Sequence, residues 1–182
     1  MPTMFSPLTA ITGLTRSEIA AGRELGDVLE EMRSSTWLHP KTILVGQSPK
    51  NDIAWPGLVE GTDFQRAINI AEYFKTWNER YGNWNYFSLR QEAFGMLGVT
   101  MSATRHDPLE DTKVSMQLFV RYGLPILQNG DTSASQAAGR KLTEMRYKRQ
   151  FPDTTSAIGS IDGVCGSKYN SRYCICNQPS GD

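Results

Sequence analysis

The sequence predicts an α/β domain with helices packed on a sheet, and three observations predict it. Residues 42–47, TILVGQ, form a short, β-branched, almost wholly apolar run stopped by glycine, the pattern of a strand covered on both faces. Apolar residues recur at helical spacing on either side of it, within 25–32, 89–97 and 114–119. The resulting order is a strand at 42–47, a helix near 52, and helices at 88–97 and 111–122, which is how helices are laid on a sheet.

Taken in order, residues 15–33 open with Thr15 and carry Glu18 three places later, a capping-box pair that starts a short helix around Ile19. After Gly22, the residues Leu25, Val28, Leu29 and Met32 give a second helix its apolar stripe. NDIAWPGL, from 51, reads as a helix start, with Pro56 tolerable only near the first turn. Residues 64–79 mix strand-like and helical features, and a short strand leading into an exposed segment is the reading favoured. YFSLRQEAFGMLGV, 86–99, is a helix capped by Ser88 with Leu89, Ala93, Met96 and Leu97 on one face. Asp111 to Tyr122 is another, with Val114, Leu118 and either Met116 or Phe119 turned inward, ended by Gly123 and Pro125. QNGDTSAS, 128–135, is a polar linker and the expected boundary between a domain over 1–127 and a C-terminal extension over 128–182. That extension carries a basic helix, 134–150, and a tail rich in Gly, Ser, Asn and Cys. No internal repeat is found.

Composition narrows the classes of function. Lys plus Arg and Asp plus Glu number 19 each, so no global field draws the protein to nucleic acid and any such binding is local. The three cysteines all follow position 164, which is not a secreted disulfide framework and points to an intracellular setting, cytoplasmic or nuclear. MPTMFSPLTAITGLT lacks the charged start and apolar core of a signal peptide. No apolar stretch approaches the roughly 20 residues that cross a bilayer, so no membrane partner is expected.

Three ionisable residues fall at strand ends and helix starts, where α/β sheets build their working crevice: Asp52, His106 and Asp111. An isolated Asp in a helix's first turn is first of all a cap, favoured by the dipole and the unpaired N–H groups. His106, in a charged loop, is by default solvated. Together they point further. A hard divalent cation wants carboxylate oxygens, and a hydrolytic water wants a base that titrates near neutrality. Two aspartates and one histidine meet both demands.

HDPLED, His106 to Asp111, followed by TKVSMQLFVRYG, resembles the third motif and last core helix of the 3′–5′ exonucleases of the ribonuclease H-like fold, in the branch named for four acidic residues and a histidine (DEDDh). ILVGQSPKNDIAWPGL is similar to its second motif, an apolar strand, a glycine, a small polar loop and an Asp, with Asp52 in that role. FSPLTAITGLTRSEI is similar to the segment ahead of the second motif in the RNA-directed members. YFSLRQEAFGMLGV looks like the helix ahead of the third. The likeness covers about residues 5–123.

The resemblance implies a ribonuclease H-like domain that hydrolyses phosphodiester bonds of single-stranded nucleic acid, RNA in particular, from a 3′ end. Two Mg²⁺ or Mn²⁺ ions about 4 Å apart would clamp the attacking and leaving oxygens. Asp111 and Asp52 would be metal ligands, and His106 would deprotonate the water, the run SATR before it letting it swing in. The family's first motif, an Asp and a Glu two residues apart on the first strand, has no counterpart here. The first acidic residue is Glu18, inside a predicted helix. The expectation is an N-terminally truncated fold, with the first strands of the sheet missing. Such a chain holds paired ions poorly and is inactive or weakly active, and strand 42–47 is left with an open edge. The other class of function is a non-catalytic nucleic-acid-binding or protein-interaction module on the same scaffold.

Two further stretches carry chemistry. Aromatic residues from Tyr73 to Phe87 interleave with Lys75, Arg80 and Arg90, a composition that either stacks bases and holds phosphates or packs a loop on the sheet. Trp77, Arg80, Trp84 and Arg90 are the candidates there, joined by Arg140 and Lys141 of the basic helix, whose charges otherwise form a solvated face. In the tail, Cys165, Cys174 and Cys176 supply three thiolates that zinc accepts, with Asp162 or another molecule as fourth ligand. The spacing departs from paired C-x2-C, and free thiols or a disordered end are the reading favoured over a zinc site. His39, before Pro40, reads as a turn residue.

Overall fold

The computed structural model describes residues 12–35, 37–102 and 107–152. His106 and the three cysteines lie outside them. The chain is mixed α/β. Its contacts divide into two compact units; the larger is Arg23–Met101 with Leu109–Phe151.

In the smaller unit the described helix is α1, Arg16–Ala20, opened by the capping box the sequence predicts. Thr15 accepts from the Glu18 N–H, and the Glu18 carboxylate accepts from the Thr15 N–H.

The larger unit begins with α2, Leu25–Ser34. Its predicted stripe is only half-buried, and Leu25 is exposed. Arg33 in its last turn makes a two-pronged bridge to buried Asp63, at 2.7 and 3.2 Å. β1, Ile43–Gly46, pairs in parallel with β2, Arg66–Asn69, Val45 standing beside Ile68 and Gly46 beside Asn69. Between them lies α3, Lys50–Ala54.

Two expectations are corrected here. Pro56 falls past the end of α3, not in its first turn, so its missing N–H interrupts no helical bond. β1 is not covered on both faces: Ile43 is 38% exposed and the other three residues are half-buried. Among the described residues β2 alone pairs with it, and a two-stranded parallel sheet covers little of its own edge.

After β2 the chain makes a 3₁₀ turn, Ile70–Tyr73, and then a hairpin. β3, Thr76–Asn78, pairs antiparallel with β4, Asn83–Asn85, with Trp77 opposite Trp84. α4, Leu89–Glu92, is capped by Ser88 and Gln91 in a second capping box and continues as a π-helical turn, Ala93–Leu97. Gly98, at φ 70°, ends it in the left-handed conformation that glycine adopts without strain.

α5, Pro108–Leu118, carries Val114 and Leu118 inward, and Phe119 packs on the core while Met116 is exposed. Gly123 and Pro125 do not end it. A π-helical turn, Phe119–Gly123, leads directly into α6, Leu124–Asn129, because a proline in a helix's first turn lacks only an N–H that had no partner there. The polar linker shrinks to Gly130–Thr132, and α7, Ser133–Tyr147, is the basic helix. α7 packs across the expected boundary at 127/128: Ala138 and Leu142 belong to the same buried cluster as Ile70, Phe74, Met96 and Leu118.

Candidate functional site

Asp52 is delivered by a loop pinned on two sides. From the end of β1, Gln47 donates to the Phe87 carbonyl at 3.0 Å and to the Glu92 carboxylate at 3.3 Å. Ser48, held at φ 54°, donates its N–H to Asn69 Oδ1 at 2.8 Å, and the same oxygen accepts from the Ala71 N–H. Asn69 thereby ties the carboxyl ends of both parallel strands together, the place where α/β sheets form a crevice. An open cleft begins there, lined by Ser48, Lys50, Ile53, Phe64 and Ala67. Asp52 sits in the first turn of α3 and is exposed.

Asp111 sits in the first turn of α5 and is half-buried. It precedes Val114 by three residues and Leu118 by seven, so it stands on the core-facing stripe of its helix, where a merely solvating cap has no need to be. Among the described residues, no group of three or more His, Cys, Asp or Glu side chains is placed to hold a metal ion. Two carboxylates alone do not meet the needs of a pair of divalent cations, whose charge has to be compensated by more oxygens.

The aromatic and basic candidates separate into two groups. Trp77 and Trp84 meet edge to face across the hairpin at 5.3 Å and remain 52% and 46% exposed. Lys75 sits 4.4 Å from the Trp84 ring, its ammonium bonded to Glu72 at 2.6 Å, which raises it above the usual lysine range. Trp77, Arg80 and Arg140 line one cleft of about 460 Å³ between the hairpin and α7. Lys141 is used differently. Its ammonium donates to the Gly95 carbonyl at 2.9 Å, fastening α7 to the π-helical turn. Arg90 lies half-buried on α4, outside that cleft.

Residues not singled out from the sequence complete the cleft: Thr76, Asn78, Glu79, Asn85, Thr143 and Tyr147. Arg140, Thr143 and Tyr147 recur at helical spacing, so their common face was available in the sequence. Arg146 was legible only as a charge. It packs over Phe87 at 4.1 Å and donates to the Tyr86 carbonyl at 2.7 Å, and burial lowers its pKa.

Searched against family models, curated proteins and solved structures, the chain finds no match. Among the described residues no helix is long and apolar enough to cross a membrane.

Proposed function

We propose that the chain carries a 3′–5′ exonuclease-type domain of the ribonuclease H-like class, directed at single-stranded nucleic acid and at RNA in particular. What supports the reading is the position of Asp111: half-buried, on the inward stripe, in the first turn of the helix that HDPLED introduces. It follows, in the motif order, a parallel strand whose outgoing loop is pinned and carries Asp52. In this reading the two carboxylates bind cation and phosphate-facing water, and His106 takes the proton from that water. Because two carboxylates bind a pair of Mg²⁺ or Mn²⁺ ions weakly, the chain by itself is inactive or weakly active.

The shortfall in carboxylates favours a second reading, a non-catalytic nucleic-acid-binding module on the same scaffold. A uniformly body-labelled single-stranded RNA incubated with the chain and Mn²⁺ separates them. Slow release of nucleoside 5′-monophosphates, abolished by Asp111→Asn, is expected of the exonuclease. No release, together with no Mn²⁺ binding in calorimetry, would leave the binding module.

A further inference from the structure

The hairpin β3–β4 and the facing side of α7 enclose a cleft whose lining is planar and polar, not aliphatic. Trp77 forms one wall with half its surface in water, and Tyr147, 78% exposed, stands on the α7 side. Arg80, whose guanidinium lies 5.3 Å from the Tyr81 ring, and Arg140 line the same cleft. Asn78 and Asn85 add amides, joined to each other at 3.3 Å.

The acidic neighbours are largely occupied. Glu72 is bonded to Lys75 and Glu144 to Lys148, each at 2.6 Å, and Glu79 is the acidic residue in the lining. With those pairs cancelling, the lining carries two arginines against one carboxylate, beside the exposed indole of Trp77. An apolar protein segment finds few aliphatic contacts here. A nucleobase finds a flat π-face, and the adjoining phosphates find guanidinium donors in the fork geometry that suits them.

The rigidity of the wall supports the same ligand. Trp77 is braced edge-on by Trp84, and Lys75 covers Trp84 from one side. Thr76 bonds Thr143 at 2.9 Å, stitching the base of the hairpin to α7. A stacking platform held in place loses little side-chain freedom when a base lands on it.

We infer that this cleft is a binding surface for a single strand of nucleic acid, with Trp77 stacking a base and Arg80 and Arg140 gripping the flanking phosphates. The inference rests on the proposed function for its choice of a strand over a free nucleotide. It requires neither a metal ion nor Asp52 and Asp111, so the surface can fail while the exonuclease reading stands, and the reverse.

The experiment uses the full chain and a fluorescein-labelled 12-nucleotide oligouridylate in EDTA, read by anisotropy. Trp77→Ala is expected to weaken binding roughly 5- to 150-fold, the range of one stacked base, while Trp77→Phe retains most of it. Replacing both Arg80 and Arg140 by Gln should reduce the log–log salt slope by about 1.4, two phosphate contacts at roughly 0.7 each. Arg23→Gln, which breaks an exposed ion pair with Glu31 of α2, should leave binding unchanged. Circular dichroism melts of the variants confirm that each is folded. Absent binding by the wild-type chain, or binding that Trp77→Ala or the double Gln variant leaves unchanged, would overturn the inference. Either result would turn attention to a protein ligand. Mononucleotide release with Mn²⁺ is measured separately and reports on the carboxylate site alone.

Discussion

Gln47, at the end of β1, and Glu92, at the end of α4, meet inside the protein at 3.3 Å, the amide donating to the carboxylate. Each has a buried oxygen without a hydrogen-bond partner, Gln47 Oε1 and Glu92 Oε2. Glu92 is fully buried, and burial pushes its pKa up to about 8, with the Gln47 hydrogen bond pulling it down less strongly. The two residues join the loop that carries Asp52 to the helix whose capping box starts at Ser88.

The first prediction follows from that carboxyl. In the unfolded chain Glu92 ionises near the ordinary value of 4.5, and in the folded chain near 8. The folded state therefore binds the extra proton between those values, and stability falls as pH rises through that window, then levels off. Glu92→Gln cannot ionise. It should be more stable than the parent to urea at pH 8, by roughly 4 kcal/mol from the linkage of that shift, and the two should converge at pH 4. A parent whose urea midpoint rises from pH 5 to pH 8 while the variant stays flat would contradict the assignment.

Asp63 predicts the opposite sign. The Arg33 guanidinium, and then the Val59 N–H, hold its carboxyl below the usual range. That stability is complete above the unfolded pKa and is lost as pH falls through the folded one. Asp63→Asn should lower the melting temperature at pH 7 by several degrees and have little effect near pH 2. Thermal melts at the two pH values test it.

α7 is held to the core by a large residue and a small one. Leu142 is fully buried against the backbone side of Gly95, where an added Cβ would come within 2.6 Å of Leu142 Cδ2. Leu142→Ala should cost about 2–5 kcal/mol in urea unfolding. At Gly139 an added Cβ would lie 2.9 Å from the Phe74 carbonyl oxygen, so Gly139→Val must displace α7 from the hairpin. It should weaken oligonucleotide binding as well as stability, whereas Leu142→Ala acts on stability first.

Asp111 gives a prediction independent of turnover. If it helps bind a cation weakly, Mn²⁺ at about five times its dissociation constant should stabilise the folded chain by about 1 kcal/mol. Asp111→Asn and Asp52→Asn should each remove most of that shift in a thermal melt. Equal shifts in all three proteins would rule out both aspartates as ligands.

Much of the backbone was legible locally. Thr15 with Glu18 and Ser88 with Gln91 are self-contained signals, since both partners of each capping box lie within four residues. TILVGQ was legible as a strand for the same reason, its branched residues restricting the backbone wherever it goes. What covers that strand was not legible, because burial depends on neighbours distant in sequence. The run through Gly123 and Pro125 misled for a related reason: tertiary packing of Phe119 and Tyr122 carries the chain through a π-helical turn where local signals mark a stop.

By itself the sequence determined where several helices start and that TILVGQ holds a strand, and it marked the residues to which chemistry is assigned here as a proposal: Asp52, Asp111 and the aromatic–basic stretch. Only the tertiary structure decided how those groups are used. Lys141 and Arg146 became fasteners of α7, bonded to carbonyls 46 and 60 residues away, while Arg80 and Arg140 came to share one cleft with Trp77. A charge's partner across such separations follows from packing, and packing is a property of the whole fold that no local window contains.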